Sequence, residues 1–215
     1  MLRVVETFVS IQGESTRAGE LCFFIRLAGC NLRCAYCDTR YANGPGAGAD
    51  RSVDELLAAA KQARVPLVEV TGGEPLLQPE TPELCRKLRD AGFTVLVETN
   101  GSQPIDRLPE GVRAIMDVKT PGSAMAEGLL AANFDALRPG DEVKFVLTGR
   151  ADYDFARRTI RERRLDAKPG VTLLFGAVAG SLPPAELAGW IVADRLPVRF
   201  QLQLHKVLWG DRRGV

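Results

Sequence analysis

Short runs of β-branched and aromatic residues recur along the chain, and polar or glycine-rich segments separate them. Runs of this length and composition are typical of strands buried in a sheet. The predicted strands span residues 22–27, 67–70, 94–98, 114–118, 142–147, 171–175 and 198–202. The glycine-rich segment 43–49, by contrast, predicts a flexible loop.

Helical patterns lie between several of these runs. Ser52 followed by Glu55 forms a capping box, which predicts a helix start before the apolar stretch that comes next. A second helix begins at Thr81-Pro82 and stops at Ala91-Gly92, because glycine readily takes the backbone conformation that ends a helix. Two further helices are predicted at residues 152–164 and 184–194.

Strands that alternate with helices predict parallel pairing through right-handed crossovers, and hence an α/β fold. A complete eightfold barrel takes about 250 residues, whereas this chain has 215. We therefore expect a partial, open (β/α) barrel that forms one domain over residues 1–215. Its reactive groups should lie at the carboxyl ends of the strands.

The charges nearly cancel, with 28 Lys and Arg against 27 Asp and Glu. This balance argues against a protein that coats nucleic acid, since such proteins carry a basic excess. No apolar run reaches the roughly 18 residues of a membrane span, and the amino terminus lacks the pattern of a signal peptide. We expect a cytoplasmic protein with neither a nucleic-acid nor a membrane partner.

Three of the five cysteines, Cys30, Cys34 and Cys37, form a C-x3-C-x2-C pattern in the loop after the first predicted strand. A structural zinc site is one alternative, but it needs four ligands and no fourth cysteine or histidine lies nearby. Three cysteines can instead hold a [4Fe–4S] cluster and leave one iron open to another ligand. The remaining two, Cys22 and Cys85, are better interpreted as small buried apolar residues.

The cysteine pattern and the segment Thr71-Gly72-Gly73-Glu74-Pro75 together resemble the radical S-adenosylmethionine (SAM) superfamily. The resemblance implies a [4Fe–4S] cluster whose open iron binds the amino acid moiety of SAM. Reduction of SAM then yields a 5′-deoxyadenosyl radical, so that the cofactor carries the difficult chemistry. The cofactor-binding residues implied are Tyr36, Cys37, Asp38, Gly73, Glu74, Asp117, Val118 and Lys119.

A narrower resemblance covers nearly the whole chain. The segments 6–14, 24–26, 37–39 and 203–210 are similar to the 7-carboxy-7-deazaguanine synthase family of queuosine biosynthesis. The resemblance implies conversion of 6-carboxytetrahydropterin to 7-carboxy-7-deazaguanine with loss of ammonia, with SAM regenerated. It also implies a magnesium ion at Thr39, a homodimer, a flavodoxin-like or other electron donor, and a tail at about residues 200–215 that closes the pocket.

Several residues are candidates for contact with the pterin, although each has a structural alternative. Gln12 and Glu14 match the donors and acceptors of a pterin edge, yet they could form an ordinary polar turn. Arg26 interrupts an apolar strand and could hold the substrate carboxylate at two points, or could pair with an acidic neighbour. The substrate-binding residues expected are Ile11, Gln12, Gly13, Glu14, Arg26, Thr71, His205 and Val215.

Each of three other candidates has one interpretation as a binding residue and one as a structural or surface residue. A hydroxyl at Thr39 suits a hard cation such as Mg²⁺, but Asp38 and Thr39 could equally be a turn or a helix cap. Lys119 could bind SAM or be a solvated surface charge. His205, in a segment that resembles a strand, could line the pocket or be structural.

Three classes of function remain open at this point. The first is the synthase activity, and the second is another radical SAM enzyme, such as a glycyl-radical-enzyme activase, that acts on a protein. The third is a non-enzymatic iron–sulfur or zinc module, which leaves the Gly-Gly-Glu-Pro segment unexplained.

Overall fold

A computed structural model describes residues 1–44 and 46–215 of the chain, and within them nine strands form one sheet in the order β3-β1-β2-β4-β5-β6-β7-β8-β9. The strands are β1 (Leu2–Ile11), β2 (Leu21–Leu27), β3 (Ala49–Arg51), β4 (Leu67–Gly72), β5 (Thr94–Thr99), β6 (Arg113–Asp117), β7 (Glu142–Leu147), β8 (Thr172–Ala177) and β9 (Arg199–Gln201).

Seven strands are parallel, and each pairs with the next in the order β2, β4, β5, β6, β7, β8 and β9. It ends at β3 on one side and β9 on the other, so the barrel is partial and open, as predicted. All seven predicted strands are present, with ends that shift by one or two residues.

Two strands were not predicted, and both pair antiparallel at one edge of the sheet. β1 pairs with β2, and β3 pairs with β1. Polar residues interrupt β1, and β3 has only three residues, which is too short for a pattern. Of the loop predicted at 43–49, Pro45 lies outside the described residues and Ala49 already belongs to β3.

The predicted helices are confirmed, including the capping box, in which the Glu55 backbone N–H donates to Ser52 Oγ at 3.2 Å. The helices are α1 (Val53–Ala63), α2 (Thr81–Asp90), α3 (Asn133–Ala136), α4 (Arg150–Arg163), α5 (Pro184–Asp194) and α6 (Leu204–Trp209). None of the helices that the structure describes is long and apolar enough to cross a membrane.

The carboxyl-terminal segment differs from its expected form. The prediction of a strand-like run through His205 is wrong, because β9 ends at Gln201 and His205 lies in α6. The Leu204 backbone N–H donates to the Gly13 carbonyl oxygen at 2.9 Å, so the chain leaves the sheet and turns against the β1–β2 loop.

The two faces of the sheet differ in chemistry. The outer face packs against the helices in two apolar clusters, one of which includes Cys85. The inner face begins with a smaller apolar layer of Cys22, Phe24, Leu67, Leu96 and Ile115. Both Cys22 and Cys85 are fully buried, which confirms their interpretation as core residues. Beyond this layer, toward the carboxyl ends, the inner positions become polar.

Candidate active site

A cavity of about 770 Å³ opens at the carboxyl ends of the parallel strands. It brings together most of the residues that the sequence singled out. Of the residues expected to bind the cluster, magnesium or SAM, those that line the cavity are Cys30, Cys34, Tyr36, Cys37, Asp38, Thr39, Gly73, Asp117 and Lys119. Of the residues expected to bind the substrate, they are Ile11, Gln12, Gly13, Glu14, Arg26, Thr71, His205 and Val215.

Two candidates, Glu74 and Val118, do not line the cavity. Val118 is buried in the outer core. The Glu74 carboxylate accepts hydrogen bonds from Thr99 Oγ1 at 2.8 Å and from the backbone N–H of Asn100 at 2.7 Å. Burial raises the pKa of Glu74. Its side chain therefore ties the end of β4 to the end of β5, and a contact of either residue with SAM stays a prediction.

The cysteine loop follows β2 directly, and its three thiols are free and half-buried at the cavity. Asn100 Nδ2 lies 3.6 Å from Cys30 Sγ, and the backbone N–H of Leu32 lies 3.4 Å from the same sulfur. Burial raises the pKa of the Cys34 thiol.

This donor set fits a [4Fe–4S] cluster. Across residues 1–44 and 46–215, no three or more His, Cys, Asp or Glu side chains are grouped so that they could hold a single metal ion. A cubane instead places each thiolate on a different iron, so the three sulfurs need only to face the same space. Three cysteine ligands would also leave one iron of such a cluster without a protein ligand.

Two glycines hold the cluster loop against the end of β4. Gly72 has a φ of +147°, and a Cβ at Gly73 would lie 1.9 Å from the carbonyl oxygen of Gly29. The Glu74 backbone N–H donates to that oxygen at 2.8 Å. Only glycine allows so close a contact between backbones, so the glycine pair fixes the cysteine loop as well as bordering the cavity.

The wall of the cavity carries one acidic side chain on each of three neighbouring strands. Glu69, Glu98 and Asp117 each follow a residue of the inner apolar layer by two positions. Because alternate residues of a strand face the same side, these carboxylates form a second layer above the apolar one. The sequence signal is a charged residue at an inner position of a largely apolar strand, which applies to Lys144 on β7 as well.

Lys144 is the buried cation of this layer. Its Nζ donates to Glu14 Oε2 at 2.8 Å, also donates to Glu98, and lies 3.7 Å from Asp117 Oδ2. Although burial opposes it, the attraction of these three carboxylates raises the pKa of Lys144 well above its usual value. Thr71 Oγ1 donates to Glu98 at 3.4 Å, so that glutamate joins two strands.

The Gln12-Gly13-Glu14 segment is held by hydrogen bonds at both ends. Gln12 Nε2 donates to the Glu69 carboxylate, and the Glu14 backbone N–H donates to Gln12 Oε1 at 3.1 Å. Gln203 Nε2 donates to Glu14 Oε1 at 2.8 Å. The segment is therefore a fixed part of the wall and more than an ordinary polar turn.

Arg26 pairs with an acidic neighbour, as its structural interpretation predicts, but only through one of its nitrogens. Its Nε donates to Glu6 Oε1 at 2.7 Å, and the Tyr41 hydroxyl donates to the same oxygen at 2.7 Å. Burial and this bond to Glu6 raise the pKa of Tyr41 to about 12 despite the attraction of Arg26. Within the described part of the chain, no hydrogen bond engages the Arg26 Nη atoms, which leaves the planar end of the guanidinium for a ligand.

Lys119 is not a solvated surface charge. Its Nζ lies 2.8 Å from Asp117 Oδ2, and its side chain is only 15% exposed. Although burial opposes it, attraction to Asp117 raises the pKa of Lys119. Asp117 Oδ1 is buried without a hydrogen-bond partner among the residues described, so this oxygen can accept a hydrogen bond from a bound molecule.

The carboxyl-terminal tail contacts both the Gln12-Gly13-Glu14 segment and the residues that follow the cysteine loop. A Cβ at Gly13 would lie 2.3 Å from His205 Nδ1. Lys206 Nζ lies 3.9 Å from Asp38 Oδ2, and the Arg213 guanidinium stacks 4.0 Å from the centre of the Tyr41 ring. His205 is thus a pocket-lining residue in contact with the β1–β2 loop.

Thr39 precedes a short 3₁₀ helix but its side chain makes no capping hydrogen bond. Its hydroxyl lies 3.7 Å from Cys37 Sγ and lines the cavity. The alternative of a side-chain cap therefore does not apply, and the hydroxyl is placed where a cation near the cluster loop could bind it.

Replacing Glu69 with glutamine is expected to stabilise the protein progressively from about pH 5 to about pH 8. Burial, reinforced by Glu98, raises the pKa of Glu69 well above its usual value. The unfolded chain loses this proton at about pH 4.3 and the native state only at a higher pH, so the stability of the parent falls as pH rises between the two. Glutamine at this position has no proton to lose.

The measurement is the difference in melting temperature, Glu69→Gln minus parent, across this pH range. Glu55→Gln is the control, because Glu55 is exposed and its bonds to Ser52 lower its pKa. Its difference should stay constant over the same range, since both states are already ionised there. A constant difference for Glu69→Gln as well would contradict the assigned direction.

Comparison with known proteins agrees with this geometry. The model of the radical SAM superfamily matches residues 24–162. A 7-carboxy-7-deazaguanine synthase of Chlorobaculum tepidum is 47% identical over 218 residues, which cover 100% of this chain and 97% of the relative. A second 7-carboxy-7-deazaguanine synthase, of Koribacter versatilis, is 40% identical over 228 residues, which cover 100% of this chain and 100% of the relative.

The fold has a counterpart among solved structures. The crystal structure of QueE from Escherichia coli superposes with a TM-score of 0.76 at 23% identity, covering 95% of this chain and 94% of the other. At that identity the likeness concerns the fold alone, and it extends over nearly the whole length of both proteins. The chain therefore belongs to the radical SAM superfamily and, within it, to the 7-carboxy-7-deazaguanine synthase family.

Proposed function

We propose that this protein converts 6-carboxy-5,6,7,8-tetrahydropterin to 7-carboxy-7-deazaguanine and ammonia in queuosine biosynthesis. The observation that carries the proposal is a single cavity that joins the three-cysteine loop, the acidic wall and the guanidinium of Arg26. An activase of glycyl-radical enzymes is not favoured, because relatives that match the full chain carry the synthase name. A non-enzymatic module leaves this wall without a purpose.

The acidic wall matches the pyrimidinone edge of a pterin. That edge presents two adjacent N–H donors, the 2-amino group and N3–H, and a carboxylate with two oxygens can accept both. Glu14 and Glu98 offer such oxygens, and Thr71 already uses its proton on Glu98, so its hydroxyl faces the cavity as an acceptor. Burial at the wall strengthens each of these hydrogen bonds.

The opposite end of the substrate carries a carboxylate, for which Arg26 supplies a planar pair of donors. The ion pair with Glu6 uses Nε and so keeps the guanidinium in one orientation. We assign the remaining substrate contacts to Ile11, Gly13, His205 and the terminal Val215, which line the same space.

Cys30, Cys34 and Cys37 would hold the [4Fe–4S] cluster, and Tyr36, Asp38, Gly73, Asp117 and Lys119 would contact SAM. When bound, the cluster and SAM supply the electron and the radical chemistry. The product and ammonia together contain all the atoms of the substrate, so the conversion has no net oxidation and SAM can be regenerated. The chain's own part is to orient the pterin and exclude water.

We further propose that residues 1–215 act as one domain in a cytoplasmic homodimer and that a flavodoxin-like or other donor reduces the cluster. The tail at residues 200–215 would close the pocket, which its contacts with Asp38, Tyr41 and Gly13 support.

The test is anaerobic reconstitution with iron and sulfide, followed by incubation with SAM, a reductant and the pterin while product is followed by mass. Formation of 7-carboxy-7-deazaguanine with less than one SAM consumed per product supports the proposal. Reductive cleavage of SAM without any deazaguanine would show a radical SAM enzyme that uses another substrate.

Replacing Thr39 with alanine is expected to impair turnover and to blunt its response to magnesium, while cluster content and SAM binding stay as in the parent. The hydroxyl would bind an ion that also contacts the substrate, and a small displacement of the reacting hydrogen costs about a hundredfold in rate. The measurement is a magnesium titration of metal-stripped enzyme.

Thr39→Ser is the matched control, since it keeps the hydroxyl and should keep the parent's activation curve. Identical curves for Thr39→Ala and the parent would show that any magnesium binds elsewhere and that Thr39 serves only its turn.

A further inference from the structure

The amide of Gln12 has only one orientation that its neighbours allow. Its oxygen accepts the Glu14 backbone N–H at 3.1 Å, and its nitrogen donates to the Glu69 carboxylate. Turning the amide over would place its NH₂ against the backbone N–H of Glu14, which is itself a donor, and would leave that N–H without an acceptor. Gln12 is only 4% exposed, so water cannot replace either partner.

Glu69 is a costly residue at its position. It is 3% exposed, on a strand whose neighbours Val68 and Val70 are fully buried, and it stands next to the inner apolar layer. A buried carboxyl lowers stability unless its contacts compensate, and its side chain has one hydrogen bond in the described chain, the one from Gln12. The fold gains the fixed amide of Gln12 in exchange.

Gln12 and Glu14 both line the cavity, so the second N–H of the Gln12 amide and the carboxylate oxygens of Glu14 offer a donor and an acceptor to a ligand there. An amide nitrogen has two hydrogens, of which Glu69 takes one. A donor next to an acceptor matches the lactam of a 4-oxopteridine, in which N3–H adjoins the O4 carbonyl. A 4-aminopteridine has a donor in place of O4 and an acceptor in place of N3–H, so it would oppose both groups.

We propose that Glu69 is a specificity-determining positioning residue, which orients the Gln12 amide so that the site selects a 4-oxopteridine over a 4-aminopteridine. This inference rests on the proposed function and adds to it the residue that determines which pteridine ring the site selects. Glu69 acts through Gln12 and not by contact with the reacting atoms. A site built from fixed hydrogen-bonding groups rejects a mismatched analogue strongly, because its buried groups are then left unpaired.

The test compares two stable probes, pterin-6-carboxylate and 2,4-diaminopteridine-6-carboxylate, whose binding to reconstituted protein is followed by their fluorescence. The parent should bind the oxo probe about a hundredfold more tightly. Glu69→Leu removes the acceptor that holds the amide, so its preference should fall to about threefold or less. Glu69→Gln is isosteric and can present either end of its own amide to Gln12, so its preference should be intermediate.

Glu142→Leu is the matched control. Glu142 is another buried glutamate, and it holds the same β1–β2 loop through the backbone N–H of Thr16 at 3.1 Å, but it does not line the cavity. Its variant should keep the parent's preference. An equal loss in Glu142→Leu would show general loosening of the loop and overturn the inference.

An unchanged preference in Glu69→Leu would also overturn it, and if that variant fails to fold, an unchanged preference in Glu69→Gln does so. Turnover of the tetrahydropterin by the parent separates the two levels. A parent that forms product while the Glu69 variants keep its preference refutes only this inference. A parent that neither binds the oxo probe nor forms product refutes the proposed function as well.

Discussion

Alanine in place of any one of Cys30, Cys34 and Cys37 is expected to abolish the iron–sulfur cluster and reductive SAM cleavage. The three thiols lie on one loop at one cavity, and each would supply the ligand of a different iron. Loss of one ligand leaves two, so cleavage should fall at least about 1,000-fold. Residues that only support metal ligands typically cost about 10- to 100-fold.

The measurements are iron and sulfide content after reconstitution, and the rate at which SAM is cleaved with dithionite. Cys22→Ala and Cys85→Ala are the controls, because both residues are fully buried away from the cavity. Burial raises the pKa of the Cys85 thiol to about 12 and makes it a poor ligand. These two variants should lose some stability and keep the cluster. Normal cleavage in Cys34→Ala would refute the assignment.

Lysine in place of Arg26 is expected to lower kcat/KM for the pterin by roughly 10- to 100-fold while slow SAM cleavage continues. Lysine keeps the charge but loses the planar pair of donors. A hydrogen bond to a charged group contributes about 1.5–3 kcal/mol, which gives a loss of that size. Lysine must also choose between Glu6 and the substrate, whereas arginine can hold both.

Glu6→Gln separates the substrate role of Arg26 from its structural one. Glutamine keeps an acceptor for Arg26 Nε and for the Tyr41 hydroxyl, so kcat/KM should change by less than about threefold. The quantities to measure are kcat/KM for turnover and the dissociation constant of pterin-6-carboxylate for both variants. Equal losses in Glu6→Gln and Arg26→Lys would make Arg26 a structural partner of Glu6.

The fold was predictable wherever a local pattern decides the structure. Most of the parallel strands are largely apolar because both of their faces are buried, and α1 carries its start signal in Ser52 and Glu55. β1 and β3 escaped prediction because polar residues interrupt the first and the second is very short, so both owe their form to pairing. The three residues of β3 are a strand only because Leu2 to Val4 lie beside them.

The candidate site was predictable where one short segment carries the chemistry. The cysteine loop, the Gly-Gly-Glu-Pro segment and Arg26 could be named from neighbouring residues, and all three contribute to the cavity. Glu69 and Lys144 could not be assigned a role in this way. Each is a charged residue in a largely apolar strand, and the partner of Glu69 lies 57 residues away along the chain and that of Lys144 130 residues away.

The class of fold and the family could be inferred from short segments of the sequence, which also predict the cluster ligands, because each depends on residues that are close together in the chain. The contacts of those residues depend on how the chain folds. In the folded protein the glycine pair lies against the cysteine loop, and Arg26 pairs with Glu6. His205 lies in a helix, and Glu69 accepts a hydrogen bond from Gln12. These contacts join strands and loops that are far apart in sequence, and burial at their meeting point fixes which hydrogen bonds can form.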